Sequence, residues 1–216
     1  MLKKNVYLIG ARGCGKSTVG KLLALELGWT FVDADDTLEA SSGRNIADIF
    51  AIDGEPAFRV MENAALQKIA TNSKQVVATG GGVILGKKNR KIMGMNGVVV
   101  WLQADENVLA KRIWEDRLAG KNRPPLTQQA EEDPQASILS EVKAVLEIRT
   151  TIYRQSSELC CIVDGQTPVE LAKKIAVDLK AMNTLEFARQ QYNIIQNFAC
   201  KSWCESQEQL SPRKEY

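Results

Sequence analysis

The chain has 216 residues, of which 44% are apolar and 25% charged, and its formal net charge is +2. This composition is typical of a globular protein, and so balanced a charge gives no electrostatic case for binding nucleic acid or an anionic membrane. The sequence contains no histidine, which excludes histidine acid–base chemistry, a Ser-His-Asp triad and any His-ligated metal. The five cysteines have no disulfide-framework spacing, and we interpret them as packed or idle thiols.

The N-terminal segment lacks the pattern of a targeting signal. Its apolar stretch, residues 6–9, is shorter than a signal h-region, and no run approaches the roughly 20 apolar residues of a membrane span. We therefore expect a cytoplasmic, monomeric protein that binds small molecules.

Short apolar or β-branched runs alternate with helical patterns along most of the chain. The predicted strands cover residues 5–9, 30–33, 75–79, 98–102 and 160–164, and the predicted helices cover 16–27, 46–70, 106–118, 136–156 and 168–182. Continuous apolar strands separated by helices indicate an α/β fold with a parallel sheet covered on both faces. The polar stretch 119–135 contains three prolines and lacks apolar periodicity, which favours a mobile lid.

We place a domain boundary after residue 182, so that 1–182 is one α/β domain and 183–216 is a C-terminal extension. The extension begins with a spacing compatible with an amphipathic helix, formed by Leu185, Ala188, Tyr192, Ile195 and Ala199. Beyond Cys204 the composition is polar, and we expect disorder there. A helix that binds a partner is the alternative interpretation.

Residues 10–18, GARGCGKST, match the phosphate-binding pattern G-x-x-x-x-G-K-[ST]. The motif follows a predicted strand and opens a predicted helix, so that backbone N–H groups turn toward phosphates at the positive end of that helix. Lys16 can reach the β- and γ-phosphates of ATP, and the Ser17 hydroxyl can bind Mg²⁺. The predicted nucleotide-binding residues of this loop are Gly13, Cys14, Gly15, Lys16, Ser17 and Thr18. The loop alone does not distinguish GTPases, motor ATPases and small-molecule kinases.

Three features beyond the loop bear on the phosphate acceptor. Asp33 and Asp35 end the second predicted strand, where one carboxylate can hold Mg²⁺ and the other can orient an acceptor hydroxyl or take its proton. Arg59 lies three residues before Glu62 on a predicted helix, so the glutamate can steady a guanidinium that binds a substrate carboxylate. The three glycines at 80–82 allow close approach of a ligand. Taken singly, the aspartates also fit a helix cap, the arginine and glutamate fit a surface ion pair, and the glycines fit a flexible turn.

Together, the patterns GxxGxGKST, DxD, GExxFRxxE and TGGG, with R-P in the polar stretch, resemble the shikimate kinase family. The resemblance is collinear over roughly residues 4–180 and extends to the connecting segment SGRNIADIFAIDGEPAFR. It implies a P-loop NTPase fold with a five-stranded parallel sheet, order 2-3-1-4-5, flanked by helices. It also implies an ATP-dependent kinase that phosphorylates the 3-hydroxyl of shikimate in chorismate biosynthesis.

On the nucleotide side, the resemblance implies that Asp33 holds Mg²⁺ through water, together with Ser17. Arg123 corresponds to a lid arginine that reaches the ATP phosphates and, with Lys16, takes part in catalysis. Two further residues fall at adenine contacts of the family, namely Arg112 and Gln166.

On the acceptor side, the resemblance implies that Asp35 binds the shikimate hydroxyls as a catalytic residue, and that Arg59 and Arg149 bind the carboxylate. The residues expected against the ring are Gly80, Gly81 and Gly82. The family usually continues after the second arginine as R-x-P-x-Y, whereas this chain has Thr151 at the proline position.

Two alternatives remain at this stage. One is a kinase of the same architecture for another small hydroxylated acid, such as gluconate, or for a nucleotide. The other is a non-catalytic nucleotide-binding module whose C-terminal extension recruits a partner. The presence of Lys16, Asp33, Asp35, Arg59 and Arg123 argues against the second.

Overall fold

A computed structural model of the protein describes residues 5–120, 133–182 and 184. The chain divides into two compact units, residues 1–173 and 174–216. In the second unit, residues 174–182 and 184 are helical, with Ile175, Ala176 and Leu179 buried. Everything described below belongs to the first unit.

The first unit is built on a sheet of five parallel strands in the order β2-β3-β1-β4-β5. The strands are β1 (Asn5–Ile9), β2 (Thr30–Asp33), β3 (Gln75–Ala78), β4 (Gly97–Gln103) and β5 (Leu159–Ile162). In the central strand, Tyr7 pairs with Val77 on one side and Val99 on the other. The predicted fold class and strand order are confirmed.

Within the described parts of the chain, six helices and one 3-10 turn connect the strands. They are α1 (Lys16–Leu27), α2 (Ala34–Ser42), α3 (Ile46–Ala70), a 3-10 turn (Val83–Leu85), α4 (Lys87–Asn96), α5 (Glu106–Leu118) and α6 (Pro134–Ser156). Residues 168–173 are also helical. None of the helices among the described residues is both long and apolar enough to cross a bilayer.

The core forms on both faces of the sheet because the central strands are apolar after their first residues, Asn5 and Gln75, and every residue of β1 and β3 is buried. One cluster packs helices against the sheet and contains Tyr7, Ile9, Leu66, Val77, Met93, Trp101 and Tyr153, among others. A smaller cluster joins α2 to α3 through Leu38, Ile49, Phe58 and Ala65. This second cluster holds the helices that carry the acceptor-side residues.

Helix α3 is interrupted at Gly54, whose φ of 78° and ψ of 174° are not helical. A φ in this range strongly favours glycine. Pro56 lies in the first turn after the break, where its missing N–H removes no intrahelical hydrogen bond. The break gives the part of α3 that carries Arg59 and Glu62 a direction of its own.

Several element predictions need correction. Helices α2 and α4 were not predicted, the last strand covers 159–162 rather than 160–164, and α6 begins at Pro134 inside the predicted lid. Residues 121–132 of that lid, which include Arg123 and its two following prolines, lie outside the described residues. The boundary after residue 182 stays a prediction, since nearly all of 183–216 lies outside them too.

Gly97, at the start of β4, provides a test of the sheet. A Cβ there would lie 2.3 Å from the backbone oxygen of Asn5 in the neighbouring strand, and a backbone oxygen cannot move aside without shifting β1. We expect Gly97→Ala to lower the free energy of unfolding by about 2 kcal/mol, as other overpacked sites do. Urea denaturation measures the change.

The matched control is Gly94→Ala in α4, where a Cβ would meet no atom within 4 Å. There the alanine is expected to stabilise the protein by up to about 1 kcal/mol through its better helix propensity. Equal effects of the two substitutions would contradict the close approach of β1 to β4.

Candidate active site

The phosphate loop runs from the end of β1 to the start of α1. Gly10, Gly13 and Gly15 have φ values of 144°, 83° and 94°, which only glycine adopts readily. A Cβ on Gly10 would lie 2.5 Å from the backbone oxygen of Leu102. The loop therefore depends on glycine both for its backbone conformation and for its packing on β4, and its last glycine caps α1 at the positive end of the helix.

The ammonium group of Lys16 lies against the loop from which it extends. Its Nζ donates hydrogen bonds to the carbonyl oxygens of Gly10, at 2.8 Å, and Ala11, at 2.9 Å. Cys14 is fully buried beneath the loop, and Thr18 is exposed in the first turn of α1. The loop thus concentrates a cationic group and a helix N-terminus in one place, which suits a polyphosphate.

Ser17 and Asp33 come together from different elements. The Ser17 hydroxyl, at the start of α1, donates a 2.8 Å hydrogen bond to Asp33 Oδ2 at the end of β2. The other carboxylate oxygen of Asp33 accepts from the backbone N–H of Asp35 at 3.0 Å and caps α2. A hydroxyl and a carboxylate beside a phosphate loop are hard oxygen donors of the kind that Mg²⁺ prefers, so these residues fit the predicted metal.

On the acceptor side, Arg59 is held between two glutamates of its own helix. Its Nη1 donates to Glu62 Oε2 at 3.1 Å, and its Nη2 donates to Glu55 Oε1 at 2.8 Å. The Glu62 side chain is only 6% exposed, so this is a largely buried ion pair. The predicted steadying of Arg59 by Glu62 is present in the structure.

The three glycines after β3 lie close to this ion pair, to Asp35 and to the phosphate loop. A Cβ on Gly82 would come within 2.6 Å of Arg59 Nη2, and one on Gly80 within 3.0 Å of Asp35 Oδ1. On Gly81 it would contact the phosphate loop, 3.4 Å from the Arg12 backbone nitrogen. Any side chain here would therefore crowd the arginine, the aspartate or the loop, which explains the triple glycine.

Burial and charge act against each other at this ion pair. Burial raises the pKa of Glu62 above its ordinary value, the neighbouring Asp35 adds to the increase, and Arg59 and Asn89 oppose it. Burial would lower the pKa of the Arg59 guanidinium, but Glu62 and Glu55 together raise it above its ordinary value. The arginine therefore stays charged and oriented.

Tyr153 is a site residue that the sequence analysis did not assign. It is fully buried, stacks on Trp101 with 5.8 Å between ring centroids, and donates a 2.6 Å hydrogen bond to the Gly81 carbonyl. Burial raises the pKa of its hydroxyl, and the positive charge of Arg149, one helical turn earlier, opposes that change. The sequence pointed to Tyr153 only through its position as the tyrosine of the family pattern R-x-P-x-Y, which begins at Arg149.

Helix α6 is continuous at Thr151, the position where the family usually has a proline. The helix runs from Pro134 to Ser156, and Thr151 lies within it as an exposed residue. Arg149 therefore lies in regular helix, one turn before Tyr153, whose hydroxyl binds the glycine loop.

The two predicted adenine contacts lie at different places along the same sheet edge. Arg112, on α5, donates from Nη1 to the Gly13 carbonyl at 3.3 Å and so lies against the phosphate loop. Gln166 follows β5 and donates from Nε2 to the Ile162 carbonyl at 2.6 Å. The backbone N–H of Asp105, which caps α5, donates to Asp164 Oδ2 at 2.9 Å and ties the two segments together.

The structure thus joins most of the predicted residues into two adjoining groups at the carboxyl edge of the sheet; Gln166 belongs to neither, and Arg123 lies outside the described residues. The phosphate group comprises the loop, Ser17, Asp33 and Arg112. The acceptor group comprises Asp35, Arg59 and the glycines, and Arg149 lies on α6 one turn before Tyr153, which binds Gly81. A phosphate loop facing an arginine held by a buried carboxylate defines a P-loop kinase for a small molecule.

Comparison with known proteins identifies the family within this class. A family model described as shikimate kinase matches residues 12–180. A shikimate kinase from Rhodopirellula baltica is 42% identical over 72% of this chain and 80% of its own length. One from Thermodesulfovibrio yellowstonii is 37% identical over 83% of this chain and 97% of its own length.

A solved structure extends the comparison to three dimensions. The shikimate kinase from Acinetobacter baumannii, in complex with shikimate, has a TM-score of 0.75 and 33% sequence identity. The match covers 85% of this chain and 96% of that one. The chain belongs to the shikimate kinase family.

The Tyr153 hydroxyl can be tested directly. Tyr153→Phe keeps the ring stacked on Trp101 but leaves the half-buried Gly81 carbonyl without its 2.6 Å donor. We expect the free energy of unfolding to fall by about 1 kcal/mol, the usual net contribution of an intramolecular hydrogen bond. Urea unfolding measures it, and an unchanged midpoint would contradict the anchoring role of this hydrogen bond.

Proposed function

We propose that this protein transfers the γ-phosphate of ATP to the 3-hydroxyl of shikimate and releases ADP and shikimate 3-phosphate. Membership of the shikimate kinase family supports the proposal. The observation that carries it is the guanidinium of Arg59, which a buried glutamate holds under the glycine loop, beside Asp35 and next to the phosphate loop. Shikimate offers the matching groups, a carboxylate and several ring hydroxyls.

The acceptor would be bound by charge at one end and by hydrogen bonds at the other. Arg59 presents a planar fork that suits a carboxylate, and Arg149 supplies a second positive charge. The backbone at Gly80–82 admits the ring closely because no side chain intervenes. Asp35 accepts a hydrogen bond from the hydroxyl that is phosphorylated.

The nucleotide would be bound chiefly by the phosphate loop, residues 13–18, with Lys16 moving from the loop carbonyls to the β- and γ-phosphates. Arg112 and Gln166 are the proposed adenine contacts, and Arg123 is the proposed lid arginine. Mg²⁺ would be held by Ser17 and, through water, by Asp33. When bound, the ion neutralises negative charge on the β- and γ-phosphates.

In the chemical step, the acceptor oxygen forms a bond to the γ-phosphorus while the bond from that phosphorus to the β–γ bridging oxygen breaks. The hydroxyl proton leaves along its hydrogen bond to Asp35, and ADP carries away the electron pair of the broken bond. Because this transition state is loose, the protein contributes mainly positioning and positive charge. Lys16 and Arg123 supply the charge, and Asp35 with Arg59 supplies the positioning.

The remaining assignments are also proposals. We infer a monomeric, cytoplasmic enzyme whose C-terminal extension, residues 183–216, lies outside the kinase domain. Removal of those residues, followed by measurement of activity, stability and mass, tests whether the extension has any part in the function.

A coupled assay of ADP release tests the function, with shikimate, gluconate and nucleoside monophosphates offered as separate acceptors. We expect turnover with shikimate alone. Turnover with either alternative and none with shikimate would overturn the proposal.

Removal of the loop lysine tests the nucleotide half. Lys16→Ala is expected to lower kcat by roughly 10²-fold or more, since it removes positive charge beside the transferring phosphate. Lys21→Ala, an exposed lysine of the same helix, is the matched control and should retain wild-type kcat. Steady-state kinetics measure kcat for both variants. A near-normal kcat in Lys16→Ala would show that Lys16 is not a catalytic residue.

Removal of the arginine fork tests the acceptor half. Arg59→Ala is expected to raise the KM for shikimate by roughly 10- to 100-fold, the equivalent of a charge-assisted hydrogen bond, with the KM for ATP nearly unchanged. Arg59→Lys keeps the charge beside Glu62 but loses the fork, so it separates binding geometry from loss of the ion pair.

Arg154→Ala, an exposed arginine on α6, serves as control for both variants and should leave each KM unchanged. An unaltered KM for shikimate in Arg59→Ala would show that this residue does not bind the acceptor carboxylate.

A further inference from the structure

Glu62, the buried partner of Arg59, has a second partner on another helix. Asn89 of α4 is 2% exposed, and its Nδ2 donates to Glu62 Oε2 at 3.2 Å. Neither the phosphate loop nor the proposed acceptor contacts require a buried asparagine at this position. A buried amide whose donor is directed at a buried carboxylate stabilises the charged form of that carboxylate.

Asn89 ends a chain of side-chain amides. Gln67 Nε2 donates to Asn63 Oδ1 at 2.8 Å, and Asn63 Nδ2 donates to Asn89 Oδ1 at 2.6 Å. An ionised carboxylate and a backbone carbonyl can only accept, so Glu62 and Val83 at the buried end of the chain require the Nδ2 of Asn89 to face them. The Oδ1 of Asn89 then faces Asn63, and the chain of amides satisfies it.

Asn89 also binds the turn that follows the glycine loop. The same Nδ2 donates to the Val83 carbonyl at 3.2 Å. A Cβ on Gly86 would lie 3.0 Å from this nitrogen, so the turn closes tightly over it. One buried amide therefore connects the carboxylate under Arg59 with the backbone that leads out of residues 80–82.

We propose that Asn89 is a positioning residue for the acceptor carboxylate, which acts through Glu62 on Arg59 and at the same time fixes the exit of the glycine loop. The inference rests on the proposed function only in naming shikimate as the source of that carboxylate. Asn89 itself lies behind the ion pair.

The charges around Glu62 set the sign of the expected effect. Burial raises its pKa, and of the charged groups around it Arg59 on α3 lowers the pKa while Asp35, at the start of α2, raises it. From α4 the group that faces it is the uncharged amide of Asn89, which lowers the pKa. Loss of the amide therefore raises the pKa further, so that Glu62 gains a proton at a higher pH and Arg59 loses its charged partner sooner as the pH falls.

The test uses the full chain and three variants. Asn89→Leu removes both donated hydrogen bonds at similar side-chain size. Asn63→Ala leaves Asn89 in place but frees its Oδ1, and it is the milder variant because Asn63 is only half-buried. Asn96→Leu is the matched control, an asparagine of the same helix whose side chain donates to the Ile92 carbonyl.

The first measurement is the titration of the Glu62 side-chain carboxyl carbon by NMR. The Glu62 pKa should rise by about one unit in Asn89→Leu, the equivalent of one hydrogen bond to a charged group, and by less in Asn63→Ala. It should be unchanged in Asn96→Leu. An unchanged Glu62 titration in Asn89→Leu would overturn the proposal, and if that variant does not fold, Asn63→Ala decides in the same way.

The second measurement is the pH dependence of KM. The KM for shikimate should increase about 10-fold in Asn89→Leu, while the KM for ATP stays within about 2-fold of the wild-type value. As the pH falls, the KM for shikimate should begin to rise at a higher pH in the variant than in the wild type, in step with the higher Glu62 pKa. Equal increases in both KM values would instead indicate general damage and overturn the positioning role. If the wild-type enzyme fails to phosphorylate shikimate, the proposed function fails, while the Glu62 titration, which needs no substrate, still decides the role of Asn89.

Discussion

The site depends on the parallel pairing of β2, β3 and β1, because parallel strands bring their carboxyl ends to one edge of a sheet. The phosphate loop follows β1, the glycine loop follows β3, and Asp33 ends β2, so three neighbouring strands deliver three parts of the site. The pairing extends past the strands themselves, since both the backbone N–H and the hydroxyl of Thr79 donate to the Leu8 carbonyl. That buried threonine sets the distance between the two loops.

The two halves of the site use different physical means. The phosphate half relies on backbone: glycine conformations, a helix N-terminus and one lysine near the surface of its loop. The acceptor half relies on side-chain charge in a partly dehydrated setting, where Arg59 needs the buried Glu62 beside it and open glycine backbone above it. In the proposed function the first arrangement would suit any nucleoside triphosphate, whereas the second would discriminate among acceptors, so α2, α3 and the glycine loop would determine specificity.

Sequence spacing was enough to predict the phosphate loop and the pairing of Arg59 with Glu62, because each is a local pattern within one loop or one helical turn. The spacing of Asp33 and Asp35 was interpreted on an extended strand, whereas Asp33 caps α2 and Asp35 lies in the first turn of that helix. The strand order came from family resemblance, since alternation of strands and helices does not specify which strands are neighbours. Helices α2 and α4 were missed because they are short, with 9 and 10 residues, and largely polar. The hydrogen bonds of Tyr153 to Gly81 and of Asn89 to Glu62 join residues 72 and 27 positions apart, which no local pattern reveals.

The hydrogen bonds of Lys16 to the Gly10 and Ala11 carbonyls have a consequence for ligand selection. Because the ammonium already has two acceptors, an arriving anion gains only the difference between its own bonds to the lysine and those it displaces. A single orthophosphate recovers little, whereas a triphosphate compensates through many contacts along the loop. The carbonyls of the unliganded loop thus compete with an incoming anion for Lys16. This competition weakens the binding of a small inorganic anion proportionally more than the binding of a nucleotide.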